Sequence, residues 1–116
     1  MENQRKFPRF QVELHAHFSC NETRGEGTVY NLSYGGCALR SNDQVLKGAY
    51  VWLQIFLPVC ATPLVISLAP VRWVARNEFG LEFITMLPRN QLLLRDYISV
   101  LETEEALARG GHANGP

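Results

Sequence analysis

Apolar and polar positions alternate from Phe10 to Cys20 with hardly a break. Phe10, Val12, Leu14, Ala16, Phe18 and Cys20 fall on one side; Gln11, Glu13, His15, His17 and Ser19 fall on the other. A period of two marks a strand with one face against a core and one toward water. Asn21 to Gly27 is polar and glycine-containing, which predicts a turn into a short second strand over Thr28 to Tyr30. The stretch Asn31-Leu32-Ser33-Tyr34-Gly35-Gly36 ends that strand, since Asn and Gly both tolerate positive φ. Cys37 to Arg40 reads as a third short strand, and Ser41 to Gly48 as a loop anchored by Val45 and Leu46. Ala49 to Leu57 is a fourth strand, with Val51, Leu53, Ile55 and Leu57 on one face and Tyr50, Trp52 and Phe56 on the other. Apolarity on both faces predicts that both are at least partly covered. Pro58 to Pro63 is a turn, because each proline removes a ladder donor. Leu64 to Arg76 is a long fifth strand, with Pro70 at a bend or an edge. Asn77-Glu78-Phe79-Gly80 is a hairpin turn, and Leu81 to Thr85 returns as the sixth strand.

From Pro88 the period becomes helical. Leu93, Leu94, Tyr97, Ile98, Val100 and Leu101 recur at helical spacing, while Arg89, Asp96, Glu102 and Glu105 lie largely on the other side. The spacing predicts a helix from Pro88 or Asn90 to about Leu107, with proline acceptable in the first turn. The fold expected is all-β dominated: a six-stranded antiparallel β-barrel with a C-terminal α-helix, closure of the sheet removing its edges. Residues 1–9 form an N-terminal arm that few apolar groups anchor, residues 10–107 the barrel and helix, and residues 108–116, rich in glycine and polar residues, a disordered tail.

A chain of 116 residues suits one domain with a modest core. No window is apolar enough to span a membrane, and the charged start lacks the apolar segment of a secretion signal. Three cysteines, Cys20, Cys37 and Cys60, are odd in number and widely spaced, which fits a reducing cytoplasm better than a disulfide framework or a structural zinc. Net charge is zero, against the basic footprint of a general nucleic-acid binder, so no DNA partner is expected. His15 and His17 share a strand face, but no third residue joins them at metal-ligand spacing; they read as a solvent-facing pair, with no metal. Ser33 lacks a partnered histidine, there is no Gly-x-Ser-x-Gly elbow, and carboxylates gather only at Glu102, Glu104 and Glu105 on the helix. The chain therefore reads as a binding protein, not an enzyme, and without a cofactor.

Two polar clusters carry the candidate chemistry: Arg5-Lys6-Phe7-Pro8-Arg9, and Asn31 to Gly36. Arginine presents a planar fork of donors that grips phosphate, stacks on aromatic rings, and matches the O6 and N7 acceptors of guanine. Two arginines four apart, on a segment stiffened by Pro8, can hold an anion from different sides. In the second cluster the Asn31 carbonyl can accept from guanine N–H groups, the Ser33 hydroxyl can donate or accept, and Gly36 permits close backbone approach. Together they ask for a ligand with phosphates and guanines.

Arg-x-x-x-Arg followed, after the first strand, by Asn/Asp-x-Ser-x-x-Gly resembles the PilZ domain, a bacterial receptor for cyclic di-GMP. Arg5 and Arg9 match the first motif; Asn31, Ser33 and Gly36 match the second. Val71-Arg72-Trp73 and Gly80-Leu81-Glu82-Phe83 resemble the family's closing hairpin, and the likeness extends over roughly residues 4 to 105. It implies a six-stranded barrel with a C-terminal helix. It also implies that Arg5 and Arg9 hold phosphates and guanine faces while Asn31, Ser33 and Gly36 address a guanine. Gln4, Lys6, Gly35 and Trp73 join the site at its margins. Two positions depart from the pattern: Gln4 stands where a basic residue is common, which bears on ligand stoichiometry, and Asn31 replaces the commoner Asp, which removes charge assistance. The implied function is to bind cyclic di-GMP in the cytoplasm, order the arm over the barrel, and signal to an unidentified effector protein, as a monomer or homodimer. One alternative is a PilZ-like adaptor that acts by protein contacts without nucleotide. Another is a small barrel for single-stranded nucleic acid, which the neutral charge disfavours.

Overall fold

The alternation over Phe10–Cys20 builds β1, with Leu14, Ala16 and Phe18 buried and His15 and His17 exposed. A computed structural model describes residues 7–113, with side chains for residues 7–109. A bulge sets Val12 and Glu13 opposite Tyr30 alone, between the pairs Gln11↔Asn31 and Leu14↔Val29. The second strand, β2, runs Thr23–Leu32 and is longer than expected. The turn predicted over Asn21 to Gly27 contracts to Asn21 and Glu22, with Asn21 at φ 57°. The glycines are the reason. Gly25 and Gly27 are packing positions inside the strand, where an added Cβ would strike the Phe18 ring or the Arg40 carbonyl.

The remaining strands are β3 (Gly36–Arg40), β4 (Tyr50–Ile55), β5 (Leu64–Ala75) and β6 (Glu78–Glu82), followed by α1 (Pro88–Ala113). All neighbours are antiparallel, in the order β1-β2-β3-β6-β5-β4, and β4 pairs back onto β1 to close the barrel. This is the expected six-stranded barrel with its C-terminal helix. The last hairpin differs in register from the expectation. Its turn is Arg76-Asn77, with Asn77 at φ 59°, so Glu78, Phe79 and Gly80 belong to β6. Phe79 is buried and meets Phe18 edge to face at 5.3 Å, so core packing extends the strand through what read as turn chemistry. Thr85, expected within the sixth strand, makes only an isolated bridge to Leu68. Pro70 stands opposite Tyr50, where β5 changes partner from β4 to β6. The outer face of β4 and the residue after it are covered only in part, because a barrel wall has only one inside: Tyr50 is the most exposed, while Phe56 lies against the His15 and His17 rings.

Leu32, Leu39, Leu53, Ile55, Leu64 and Ile66 are fully buried, and α1 adds Leu94 and Ile98 to the same core. Asn90, buried at the start of the helix, accepts the Val65 N–H at 2.9 Å and ties the helix to β5. The helix continues past Leu107 to Ala113, so residues 108–113 are helical where a disordered tail was expected. Ala106, Leu107, Ala108 and Arg109 are strong helix formers, and Arg109 reaches Glu105 one turn back at 3.1 Å. Residues 114–116 of that tail, and residues 1–6 of the arm, lie outside the described residues. No helix among the described residues is long and apolar enough to cross a membrane.

Candidate functional site

Antiparallel pairing of β1 with β2 places the start of one beside the end of the other: Phe10 faces Leu32 and Gln11 faces Asn31. Arg9 precedes β1, and its Nη1 donates to Asn31 Oδ1 at 3.2 Å. Two clusters 22 residues apart thus meet at one barrel end. Phe7 packs edge to face on Tyr34 at 5.8 Å, over a Gly35 that leaves its ring room. Between them opens a cleft of about 260 Å³, walled by Phe7, Arg9, Ser33, Gly36, Trp73 and Glu82 among others. Arg5, Gln4 and Lys6 lie outside the described residues.

The turn between β2 and β3 is held from inside. The Ser33 N–H donates to the Gly36 carbonyl at 2.9 Å, and the Gly35 N–H donates to Ser33 Oγ at 3.1 Å. Ser33 is buried, and its hydroxyl also lies 3.4 Å from the Gly36 carbonyl. That hydroxyl shapes the turn that carries Gly35 and Gly36; it is largely engaged before any ligand arrives. Gly36 lets β3 approach β6, because a Cβ there would enter the Leu81 carbonyl. Beside it, burial pushes the Cys37 thiol well above the ordinary thiol range, so it is an inert filler.

The opposite wall comes from β5 and β6. Trp73 pairs with Gly80, and its indole lies where a Cβ of residue 80 would be, leaving the ring 38% exposed to the cleft. Arg72 also lines the cleft and donates through Nε to Glu82 Oε1 at 2.6 Å, with Nη2 equally close. Neither Arg72 nor Glu82 stood out as a site residue in the sequence; the signal available was their outward phase on strands that flank Trp73 and Gly36. Further along, Arg40 stacks on the Tyr30 ring at 4.1 Å, and the Tyr30 hydroxyl donates to Glu78 at 2.6 Å. Burial first, and the Glu78 carboxylate second, push the Tyr30 hydroxyl up to about 12. Arg72 therefore has an anionic partner and Arg40 an aromatic one, whereas the partner of Arg9 among the described residues is a neutral amide. Of the two arginines that line this cleft, Arg9 exchanges its described partner for an anion at the smaller cost.

The histidine pair on β1 is also not as the sequence suggested. Pairing with β2 sets Glu26 directly opposite His17, and the side chains of His15, His17 and Glu26 converge on the outer face of the barrel.

The PilZ domain family model matches residues 3–99. No curated protein matches the sequence. Among solved structures, the chain is similar to the Bacillus subtilis inhibitor of motility MotI/DgrA (TM-score 0.73, 21% identity), covering 89% of this chain and 53% of that one. It is also similar to Escherichia coli YcgR in complex with c-di-GMP (TM-score 0.75, 14% identity), covering 96% of this chain and 51% of that one. A third likeness is to the PilZ domain of CeSA from a cellulose-synthesizing bacterium (TM-score 0.63, 13% identity; 84% and 98% covered). The chain thus spans about half the length of MotI/DgrA and of YcgR.

Proposed function

This chain belongs to the PilZ domain family, and on that premise we propose that it is a receptor for cyclic di-GMP. The observation that carries the reading is the Arg9–Asn31 hydrogen bond, which joins the two halves of the family's motif at the mouth of a cleft walled by Trp73 and Phe7. Similarity to YcgR in complex with c-di-GMP lends support from the fold.

In the proposed binding event Arg9 leaves Asn31 for a phosphate or a guanine Hoogsteen edge, and the freed Asn31 carbonyl accepts from the guanine Watson–Crick edge. Arg5 acts beside Arg9 from the arm. Gly35 and Gly36 line the cleft with bare backbone, the Phe7 ring over Gly35 being what a base would displace, and the exposed face of Trp73 offers apolar cover. Hydrogen bonds to charged groups contribute about 1.5–3 kcal/mol each, and micromolar affinity needs about 8 kcal/mol. A few such bonds with base stacking reach that total after the cost of association is subtracted. The exchange of partners at Arg9 and Asn31 then presents a changed surface to an effector protein.

Titration calorimetry with cyclic di-GMP tests the reading. Saturable binding that survives moderate salt, weakened about tenfold or more by Arg9→Ala, is the expected result, a loss of about 1.4 kcal/mol or above. Unchanged affinity in that variant, or no binding by the parent chain, overturns it.

A further inference from the structure

At the other end of the β1–β2 ladder, three ligand-type atoms converge. His15 Nε2 and His17 Nε2 lie 3.0 Å apart, and Glu26 Oε1 lies 3.3 Å from the first and 3.7 Å from the second. We propose that His15, His17 and Glu26 form a binding site for a divalent transition metal of the zinc class.

The distances carry the inference. In a tetrahedral zinc site with bonds of about 2.0–2.1 Å, neighbouring ligand atoms stand about 3.3–3.4 Å apart. The three separations here scatter around that value. A triangle with these sides has a centre about 2.0 Å from all three atoms, so an ion slightly out of their plane meets each at bonding distance. Two imidazole nitrogens 3.0 Å apart cannot both carry a proton toward each other, so at least one lone pair points into the cluster beside a carboxylate oxygen. A cation satisfies all three at once. Imidazole with carboxylate suits zinc and its first-row neighbours, and does not suit magnesium, which prefers oxygen ligands in an octahedron.

The strands hold this geometry in advance. His15 and His17 are two apart on β1 and share its outer face. Glu26 stands opposite His17, and it turns both backbone groups away from β1: its N–H donates to Asp43 Oδ2 at 3.1 Å and its carbonyl accepts from Ser41 Oγ at 2.6 Å. That places His17 and Glu26 in the narrow kind of antiparallel pair, where side chains are closest. Phe56 stacks on the His15 ring at 5.6 Å and meets the His17 ring edge to face at 5.0 Å, which limits rotation of both. His17 and Glu26 also edge a cleft of about 690 Å³ with Trp52 and Gln54, leaving room for water or an outside donor at a fourth position. Among the described residues this is the one cluster of three such side chains.

The test uses the full chain with zinc ion, and cobalt(II) as a spectroscopic stand-in. One saturable zinc site per chain is expected, weakened tenfold or more by His15→Gln or by His17→Gln, less by Glu26→Gln, and not competed by millimolar magnesium. Cobalt should give the visible bands of a four-coordinate site without a thiolate charge-transfer band. All three side chains are exposed, so the variants should keep the far-ultraviolet circular dichroism of the parent. Zinc affinity unchanged in the His15→Gln/His17→Gln double variant, a thiolate band pointing to Cys20 or Cys60, equal competition by magnesium, or no zinc binding by the parent chain would each overturn the assignment.

Discussion

The two ends of the β1–β2 ladder are built from the same pairing and differ in how their groups are held. At the open end, Arg9 touches Asn31 through one hydrogen bond among the described residues, from a segment that has not yet entered the sheet. At the hairpin end, His15, His17 and Glu26 sit within paired strands, with the Glu26 backbone bonded on both sides and both rings braced by Phe56. A loosely attached arginine suits a receptor that must rearrange when a large, flexible ligand arrives. A rigid triangle suits a small ion, whose bond lengths tolerate little error. One ladder thus offers a movable grip and a fixed one.

The largest effect expected of any change at the open end comes from Gly36, because its neighbour is backbone and cannot turn aside. Gly36→Val should destabilise the barrel by about 2–3 kcal/mol or more, as overpacking does, and abolish nucleotide binding with it. Urea unfolding checks this; a variant as stable as the parent means that β3 and β6 can separate, and then the turn is not rigid. Next in size is the arm. Arg9→Ala should weaken cyclic di-GMP binding about tenfold while leaving stability within about 0.5 kcal/mol, since an exposed hydrogen bond contributes little to folding. Loss of both together would show that Arg9 is part of the fold and erase the contrast drawn above.

Ser33→Ala sharpens the comparison further. The hydroxyl serves the Gly35 N–H, so its removal should cost about 1 kcal/mol of stability. It should weaken nucleotide binding less than Arg9→Ala does, and calorimetry on both variants decides the order. A larger binding loss for Ser33→Ala than for Arg9→Ala would make Ser33 a direct ligand contact. Independence of the two ends is a smaller effect again. Glu26 and Asn31 are five residues apart on β2, roughly 17 Å at strand rise, so saturating zinc should change nucleotide affinity by less than about twofold. A larger coupling would mean that the barrel wall between them has two arrangements.

The strands, and the meeting of Arg9 with Asn31, were legible because alternation and a paired motif are local patterns. The alternation drew β1 at its full length, Phe10–Cys20. Where the reading failed, a residue's local preference was overridden by packing at a distance. Gly25 and Gly27 look like turn residues and are strand residues pressed by Phe18 and Arg40; Phe79 looks like the tip of a hairpin and is core. The metal cluster was invisible for a related reason. His15 and His17 are plain in the sequence, but their third partner is brought by register, and the register depends on a β2 that reads as less than a third of its real length. Arg72 and Glu82 escaped in the same way, as outward residues whose pairing exists only after β5 and β6 have folded against each other. The helix past Leu107 escaped because Gly110 and Gly111 read as a stop, while the run before them favours helix.

Tyr30 lies between the two ends, at the bulge where β2 changes register, and its hydroxyl ties that point to Glu78 on β6. Its folded-state pKa, raised to about 12, stands above the ordinary tyrosine value of 10.0, so the folded chain holds this proton more tightly than the unfolded chain. The sign follows from linkage: the contribution to stability is fully present below about pH 10 and is lost as pH rises through about pH 12. Tyr30→Phe should therefore flatten the fall in stability across that alkaline window without altering it at neutral pH by more than about 1 kcal/mol, the size of one hydrogen bond. Ultraviolet titration of the parent should show a tyrosine ionising near pH 12 that is missing in the variant, while Tyr97, which burial also pushes up, stays in both. If Tyr30 ionises near its ordinary value instead, the hydroxyl is not held by Glu78. The bulge between the two sites is then loose, and the rigidity ascribed to the hairpin end has to come from the Phe56 and Ser41 contacts alone.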